Sequence, residues 1–358
     1  KLSFLGLESS IKKKRSLFTP VNNWIIVRKL NSQRCGQHFL IQNTDSGEVL
    51  MKKTVSKDSE KKAKGLKESL ELKINSQHAH VLKIHDFDVD IQTDFCSKMF
   101  YFSIYYDYPE RDLELMLSSQ IHSSGACSGE KLLKIAYNTM SGLLHLQGLP
   151  KNRDAGLLQL DRVYYNPESN LYRVVENIND IRLFDFYFNL TIGRSASAIF
   201  SPTCLKKKPL INKKFDLSKI DCFNLGLILL CFGVNEFPEV FYKKNHKEMN
   251  LPLLEAKKMV FLEKYQKYSF LCDILQDLLE FDLAARLSLS EIIQKYPKHT
   301  RLRDYRSSLQ SIGVRSEVNP KPLTSNPKNF NNVYKNSKYT LLQFLYINKV
   351  NKRFPNET

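Results

Sequence analysis

The chain has 358 residues, 42% of them hydrophobic and 11% aromatic, so it can bury one large two-part core or two ordinary domains, and a disordered chain is excluded. Its formal net charge is +17, of which residues 1–23 contribute +4 and residues 301–358 contribute +8. Such basic ends fit an acidic protein surface, nucleic acid or an anionic membrane, and they equally fit solvated tails.

The seven cysteines are scattered, without Cys-x-x-Cys spacing or an adjacent histidine cluster. This pattern predicts buried thiols in a reducing compartment and neither a disulfide framework nor a metal site. The longest apolar run, residues 225–233, is far shorter than the roughly 20 residues that cross a bilayer. We therefore expect an intracellular, cytoplasmic protein without a transmembrane segment, and no signal peptide is recognised at Lys1.

The first third of the chain is strand-like with one helical interruption. Apolar and β-branched runs predict strands at residues 24–27, 38–41, 49–51 and 81–84, and residues 45–48 predict a turn. Leu66, Leu70 and Ile74 recur at helical spacing within a charged segment, which predicts a helix over residues 61–74.

Helical periods dominate after an aromatic strand at residues 99–106. Helices are predicted around residues 132–144, 225–232 and 270–279, and the second is apolar on every side, as expected of a helix at the centre of a domain. The expected fold class is therefore α+β, with a mostly-strand part followed by a mostly-helical part.

Several landmarks between Trp24 and Thr300 resemble, in the right order, those of eukaryotic protein kinases. Kinases cover the ATP phosphates with a hairpin of the form L-G-x-G-x-F-G-x-V, and residues 30–38 here read LNSQRCGQH, which keeps only Gly36. The resemblance implies a bilobal protein-kinase-like fold. Its parts would be a basic N-terminal extension (1–23), a small mostly-β N-lobe (24–108), a larger mostly-α C-lobe (109–300) and a basic C-terminal extension (301–358).

The resemblance also assigns a lysine and a glutamate to the nucleotide site. Counting on without a gap places the third-strand lysine at Lys53, with Lys52 as the alternative. In active kinases this lysine contacts the nucleotide phosphates and a helix glutamate, which by spacing is Glu71 or else Glu68.

The adenine side of that site would be crowded. Kinases keep a small alanine two residues before the lysine, whereas this chain has Met51, or Leu50 in the other register. An aromatic residue, Tyr106 or Tyr105, would occupy the gatekeeper position on the strand that joins the two lobes.

Neither register of the catalytic loop keeps its chemistry. Active kinases need H-R-D followed five residues later by a metal-binding Asn. Asn152-Arg153-Asp154 resembles that loop, but Gln159 stands at the Asn position. The favoured register, anchored on the strand Val163–Asn166, puts Ala155-Gly156-Leu157 in place of H-R-D and Arg162 in place of the Asn.

The metal-binding D-F-G motif has two alternatives. The strand-then-D-F pattern at residues 181–187 offers Asp185, with a tyrosine replacing the glycine. The gapless register instead places Val175-Glu176-Asn177 there, directly after a hairpin over residues 164–174.

Landmarks that serve structure are better kept. Residues 221–226 match the helix start D-x-W-S-x-G, so Asp221 is expected to brace the catalytic loop and Gly226 to keep its place in that helix. Residues 282–288 match D-P-x-x-R-P-S, which assigns the structural arginine to Arg286. Because Ser201-Pro202-Thr203 replaces A-P-E, Arg286 loses its usual carboxylate, and we expect another acidic partner for it.

The leading interpretation is a pseudokinase: a scaffold or allosteric partner that acts through protein–protein contacts. Its vestigial nucleotide site would comprise Gly36, Lys53, Glu71 and Asp185, with no catalytic residue, no metal and at most weak ATP binding. The alternatives are an atypical active Ser/Thr kinase that uses Lys53, Asp154 and Asp185, and a basic nucleic-acid-binding module.

The C-terminal extension carries an apolar stripe at near-helical spacing, from Leu341 to Val350, flanked by lysines and an arginine. Such a stripe requires burial. It would either pack on the helical lobe or dock on a partner.

Overall fold

The computed structural model describes residues 23–30, 37–93, 98–108, 111–149, 158–176, 198–202, 218–243 and 248–296. The chain divides into two units at Leu302, and every described residue belongs to the first. The apolar stripe beginning at Leu341 lies outside the described residues.

A five-stranded antiparallel sheet occupies the first third of the chain, in the order β1-β2-β3-β5-β4. Its strands are β1 (Trp24–Leu30), β2 (Gln37–Asn43), β3 (Val49–Lys57), β4 (Ile84–Thr93) and β5 (Lys98–Asp107). Helix α1 (Glu60–Asn75) connects β3 to β4. The predicted strands at residues 24–27, 38–41, 49–51 and 99–106 and the predicted helix at 61–74 are confirmed.

Helix α1 covers one face of this sheet. Its buried residues Ala63, Leu66 and Leu70 are three and four positions apart and therefore share one side of the helix. They belong to one apolar cluster with inward-facing residues of β3 and β5, including Val55 and Phe102. The resulting core fixes which side chains of β3 point inward.

The predicted strand at residues 81–84 is wrong, because β4 begins only at Ile84. The preceding backbone pairs elsewhere: the Leu82 amide donates to the Val174 carbonyl, and the Val174 amide donates to the His80 carbonyl, both at 2.9 Å. An apolar run of four residues suits either arrangement, since its hydrogen-bond partners come from a distant part of the chain.

The second part of the described chain is mostly helical. Its elements are β6 (Arg111–Asp112), α2 (Leu113–His122), α3 (Gly129–Gly148), a 3₁₀ turn (Leu160–Arg162), β7 (Val163–Asn166), β8 (Leu171–Val174), α4 (Ser218–Val234), a second 3₁₀ turn (Pro238–Phe241), α5 (Leu251–Lys264), α6 (Ser269–Leu278) and α7 (Leu289–Lys295). Strands β6, β7 and β8 form a small antiparallel sheet. The predicted hairpin and the three predicted helices are confirmed.

Helix α4 lies at the centre of the helical core. Its residues from Ile220 to Gly233 are all buried, as its all-round apolar sequence predicts. A Cβ atom added at Gly226 would lie 2.8 Å from Leu279, and one at Gly233 would lie 2.2 Å from Phe261. The two glycines therefore let neighbouring helices approach α4 closely.

The mixture of helices with an antiparallel sheet confirms the α+β class. The four described cysteines, Cys127, Cys222, Cys231 and Cys272, are free and buried, as predicted. None of the described helices combines the length and the apolar character that crossing a membrane requires.

Candidate functional site

Adjacent lysines of β3 point to opposite faces of the sheet. Lys53 is 2% exposed and lies on the face that α1 covers, between Met51 and Val55 in the strand alternation. Lys52 is half-buried on the other face, with its ammonium 6.0 Å from the centre of the Tyr105 ring. Of these two adjacent lysines, only Lys53 is therefore placed in the interior between the sheet and α1.

Met51 and Tyr106 are direct cross-strand partners on that inner face. Both are almost completely buried, at 2% and 0% exposure. Tyr105, the alternative aromatic, belongs to a separate cluster on the outer face with Ile41 and Leu50. The interior beside Lys53 is thus filled by Met51 and Tyr106.

His38 on β2 is the direct cross-strand partner of Lys53. It is 4% exposed, and its Nε2 atom has no hydrogen-bond partner in the structure. Burial, together with the charge of Lys53, lowers the pKa of His38 to about 3. The imidazole is therefore neutral at physiological pH.

Glu176 adds a buried carboxylate two residues after β8. It is 2% exposed, and its Oε1 accepts a hydrogen bond of 3.1 Å from the Tyr106 hydroxyl. His38, Met51, Lys53, Tyr106 and Glu176 are named here the inner-face cluster. The sequence analysis named Glu176 only within the triplet Val175-Glu176-Asn177 and gave it no role of its own. Its position directly after the predicted hairpin could have indicated that it is buried.

Arg162 is a second buried cation, 5% exposed, at the end of the turn that leads into β7. Its Nη2 donates to the Val175 carbonyl at 2.6 Å, and the Val175 amide donates to the Arg162 carbonyl at 2.9 Å. These two bonds tie the entry of the β7–β8 hairpin to its exit. The charge of Arg162 is therefore fixed beside the backbone that precedes Glu176.

Gln159 and Asp221 hold the segment that leads into this turn. Both atoms of the Gln159 amide bond the Ile199 backbone at 2.8 Å, as donor to its carbonyl and acceptor from its amide. Asp221 accepts from the Leu158 amide at 2.9 Å, while Asn224 donates to the Leu158 carbonyl, also at 2.9 Å. Helix α4 thus braces the chain before β7.

Arg286 is completely buried and donates hydrogen bonds to backbone carbonyls. Its guanidinium donates to Glu280 at 2.6 Å, Lys219 at 2.9 Å and Phe281 at 3.2 Å, and it lies 4.8 Å from the centre of the Phe223 ring. These carbonyls offset much of the desolvation of the charge. The acidic partner expected from the sequence stays a prediction.

The remaining predicted site residues are either outside the described structure or on its surface. Gly36, Asp154 and Asp185 lie outside the described residues. Glu71 is exposed on α1, whereas Glu68, the alternative, is half-buried. Which of the two glutamates belongs with Lys53 stays a prediction.

Sequence reasoning missed a charge network where β5 ends. Asp107 accepts from His85 Nε2 at 2.5 Å and from Arg173 Nη1 at 2.7 Å, so it connects β4 and β5 with β8. Burial alone would raise the pKa of Asp107, but the hydrogen bond from His85 and the charges of His85, Arg173 and Lys83 lower it. No local motif signals this network, because its members come from three strands.

Most of the buried polar side chains described above already have hydrogen-bond partners or are neutral. His38 is neutral at physiological pH, the Arg162 guanidinium already donates to the Val175 carbonyl, and the carboxylate of Glu176 already accepts from a phenol. Within the ranges that the structure describes, no group of three His, Cys, Asp or Glu side chains is arranged to hold a metal ion. Neither protein-family models nor curated proteins give a match to this chain.

Proposed function

We propose that this protein is a bilobal kinase-like protein that acts by binding a protein partner and does not transfer phosphate. The topology supports the kinase-like part. A five-stranded antiparallel sheet with one helix between β3 and β4 precedes a helical region that contains the β7–β8 hairpin. The kinase resemblance implies the same order of elements.

The bracing contacts support the same assignment. In the resemblance, Asp221 braces the catalytic-loop backbone, and here it accepts from the Leu158 amide just before the turn into β7. Lys53 is buried on the inner face, as a third-strand lysine should be, and Lys52 is not. Val175 directly follows β8, which favours the gapless register of the metal-binding motif over the one at Asp185.

Arg162 is the single observation that carries the proposed loss of catalysis. In the favoured register it occupies the position of the metal-binding Asn, and a guanidinium has five donors and no acceptor. Mg²⁺ requires oxygen ligands, and two like unit charges 4 Å apart repel by about 4 kcal/mol at an effective dielectric constant of 20. The residues present therefore do not fit a Mg-nucleotide.

The other register does not restore a metal ligand. There the Asn position falls on Gln159, which is fully buried and uses both amide atoms on the Ile199 backbone. An atypical active kinase would have to break these bonds before Gln159 could reach a metal ion. The inner-face cluster also leaves Met51 and Tyr106 where an adenine ring would lie.

Isothermal titration calorimetry with Mg-ATP tests this assignment. We expect no saturable heat up to millimolar nucleotide, because two large side chains fill the adenine position and a fixed cation occupies the metal position. Tight, magnesium-dependent binding to the wild-type protein would contradict the proposal. Magnesium-dependent binding that appears only in Met51→Ala would show that Met51 is the sole obstacle and would contradict the role given to Arg162.

The partner is proposed to carry an acidic surface, since the two ends of the chain hold most of the net charge of +17. Chemical cross-linking of the full chain in native extract, with and without nuclease, separates a protein partner from nucleic acid. Nuclease-resistant cross-links to one acidic protein are expected. Cross-links that disappear after nuclease treatment would instead favour the nucleic-acid-binding module.

A further inference from the structure

A cleft of about 230 Å³ lies between the end of α1, the connection to β4, the end of α3 and β8. Lys73, Lys83, His145 and Arg173 are among its lining residues. Glu176 also lines it and accepts the hydrogen bond from Tyr106. The lining includes neither Met51 nor Tyr106, the residues that fill the proposed adenine position.

The polar lining of the cleft favours an anion. Lys73, Lys83 and Arg173 face Asp107 and Glu176, and both of these carboxylates already accept hydrogen bonds. The Nε atom of Arg173 is buried without a hydrogen-bond partner, although Nη1 of the same guanidinium donates to Asp107. The Arg173 guanidinium has five donors, so its bond to Asp107 leaves further donors on the same group.

Two stacked histidine rings, called here the histidine wall, lie on one side of the cleft. The rings of His78 and His145 stack with centroids 4.6 Å apart and planes inclined by 13°. Nε2 of His145 donates to the Ser76 carbonyl at 2.7 Å, and Nδ1 of His78 accepts from the His80 amide at 3.2 Å. These bonds fix both rings, so the wall exists before any ligand arrives.

The rest of the cleft lining is apolar and small in area. It consists of Val81, Leu82, Ile84, Leu146 and Leu149. The volume lies below the roughly 300–1,000 Å³ typical of sites for drug-sized ligands. The cleft therefore suits a ligand with about one ring of apolar surface and one anionic group.

We propose that this cleft binds a small carboxylate with an aromatic body. Its carboxylate would pair with the charges of Arg173 and Lys83, and its ring would lie against the histidine wall and Leu149. This inference uses no catalytic-loop or nucleotide-site residue other than Glu176, and it stands or falls independently of the function proposed above.

Titration calorimetry with phenylacetate as the probe tests the proposal on the full chain. Phenylacetamide, its neutral isostere, and inorganic phosphate are the comparison ligands. We expect phenylacetate to bind at least tenfold more tightly than either, because only it combines a negative charge for Arg173 and Lys83 with a ring for the apolar lining. Equal affinity for the amide, or for phosphate, would overturn the proposal.

Lys83→Ala locates the site without disturbing the core, since Lys83 is exposed. It should weaken phenylacetate binding several-fold. The matched control is Lys64→Ala, which removes an exposed lysine of α1 outside the cleft and should leave affinity unchanged. Equal effects of the two substitutions would show that binding is non-specific and would contradict the assignment.

Discussion

At the scale of single residues, buried charge is the unusual feature of this protein. Lys53, Arg162 and Arg286 are each 5% exposed or less, and buried cations are kept only when they are paired or hydrogen-bonded. Arg286 donates to three carbonyls, and Arg162 joins the two ends of the β7–β8 hairpin. The two arginines therefore stabilise the β7–β8 hairpin and the chain after α6.

Arg162→Met should lower the free energy of unfolding by about 1–3 kcal/mol, because the Val175 carbonyl loses its charged donor in the interior. Urea unfolding followed by circular dichroism measures the change. Lys64→Met, at an exposed position of α1, is the control and should change stability by less than about 0.5 kcal/mol. Equal stability of wild type and Arg162→Met would contradict the structural role of the Arg162 guanidinium.

His38 predicts a specific dependence of stability on pH. Its folded-state pKa is lowered from 6.5 to about 3, so the unfolded chain binds a proton that the folded chain does not. The stability is therefore complete above pH 6.5 and falls as pH decreases from 6.5 toward 3, by up to about 1.4 kcal/mol per pH unit.

His38→Val removes this titration and keeps an apolar side chain opposite Lys53. Unfolding free energies of wild type and variant, measured by urea between pH 7 and pH 4.5, should diverge in favour of the variant below pH 6.5. Parallel curves over that range would mean that His38 is protonated in the folded protein.

At the scale of elements, period and spacing predicted most strands and helices but not their long-range pairing. The apolar positions of α1 and the all-round apolar character of α4 give their burial directly. The segment before β4 was mispredicted because its hydrogen bonds go to Val174, more than ninety positions along the chain. The charge network at Asp107 was missed for the same reason, because its members lie on β4, β5 and β8 and share no local sequence pattern.

The candidate functional site, like the secondary structure, was predictable only in part. Lys53 and Asp221, to which the resemblance assigns roles, are both buried, and those roles stay predictions. The choice of Glu71 over Glu68 came from counting alone, and the two differ in exposure, since Glu71 is exposed and Glu68 is half-buried. His38 was not predicted as a site residue, since its burial depends on which residue of β3 it faces.

A substitution at Gly142 of α3 tests how closely the connection before β4 packs against this helix. A Cβ atom there would lie 2.3 Å from the His80 carbonyl oxygen, a backbone atom that cannot move without breaking its bond from the Val174 amide. Gly142→Ala should therefore destabilise the protein by about 2 kcal/mol or more, in the range of overpacked cores. Thermal unfolding gives the measurement.

Gly148→Ala is the matched control at the exposed end of the same helix. A Cβ atom there meets nothing within 4 Å, so the substitution should be neutral or slightly stabilising. A melting temperature of Gly142→Ala equal to that of the control would mean that the connection does not pack on α3 as described.

At the scale of the whole molecule, the described chain combines a sheet, a helical core and buried cations. The net charge of +17 lies mostly in the two ends, which suits contact with an acidic partner. Side chains fill the interior at the inner-face cluster, and in the register proposed from the kinase resemblance Arg162 stands at the position of the metal-binding Asn. These features are the basis of the proposal that the protein binds a partner and does not transfer phosphate.

The most direct test of this conclusion is a phosphoryl-transfer assay with radiolabelled ATP and Mg²⁺, using the full chain and generic protein substrates, with Asp154→Ala and Asp185→Ala as comparison variants. The account predicts no transfer above that of a buffer blank for any of the three proteins. Magnesium-dependent transfer by the wild type that either substitution abolishes would contradict it and establish an atypical active kinase.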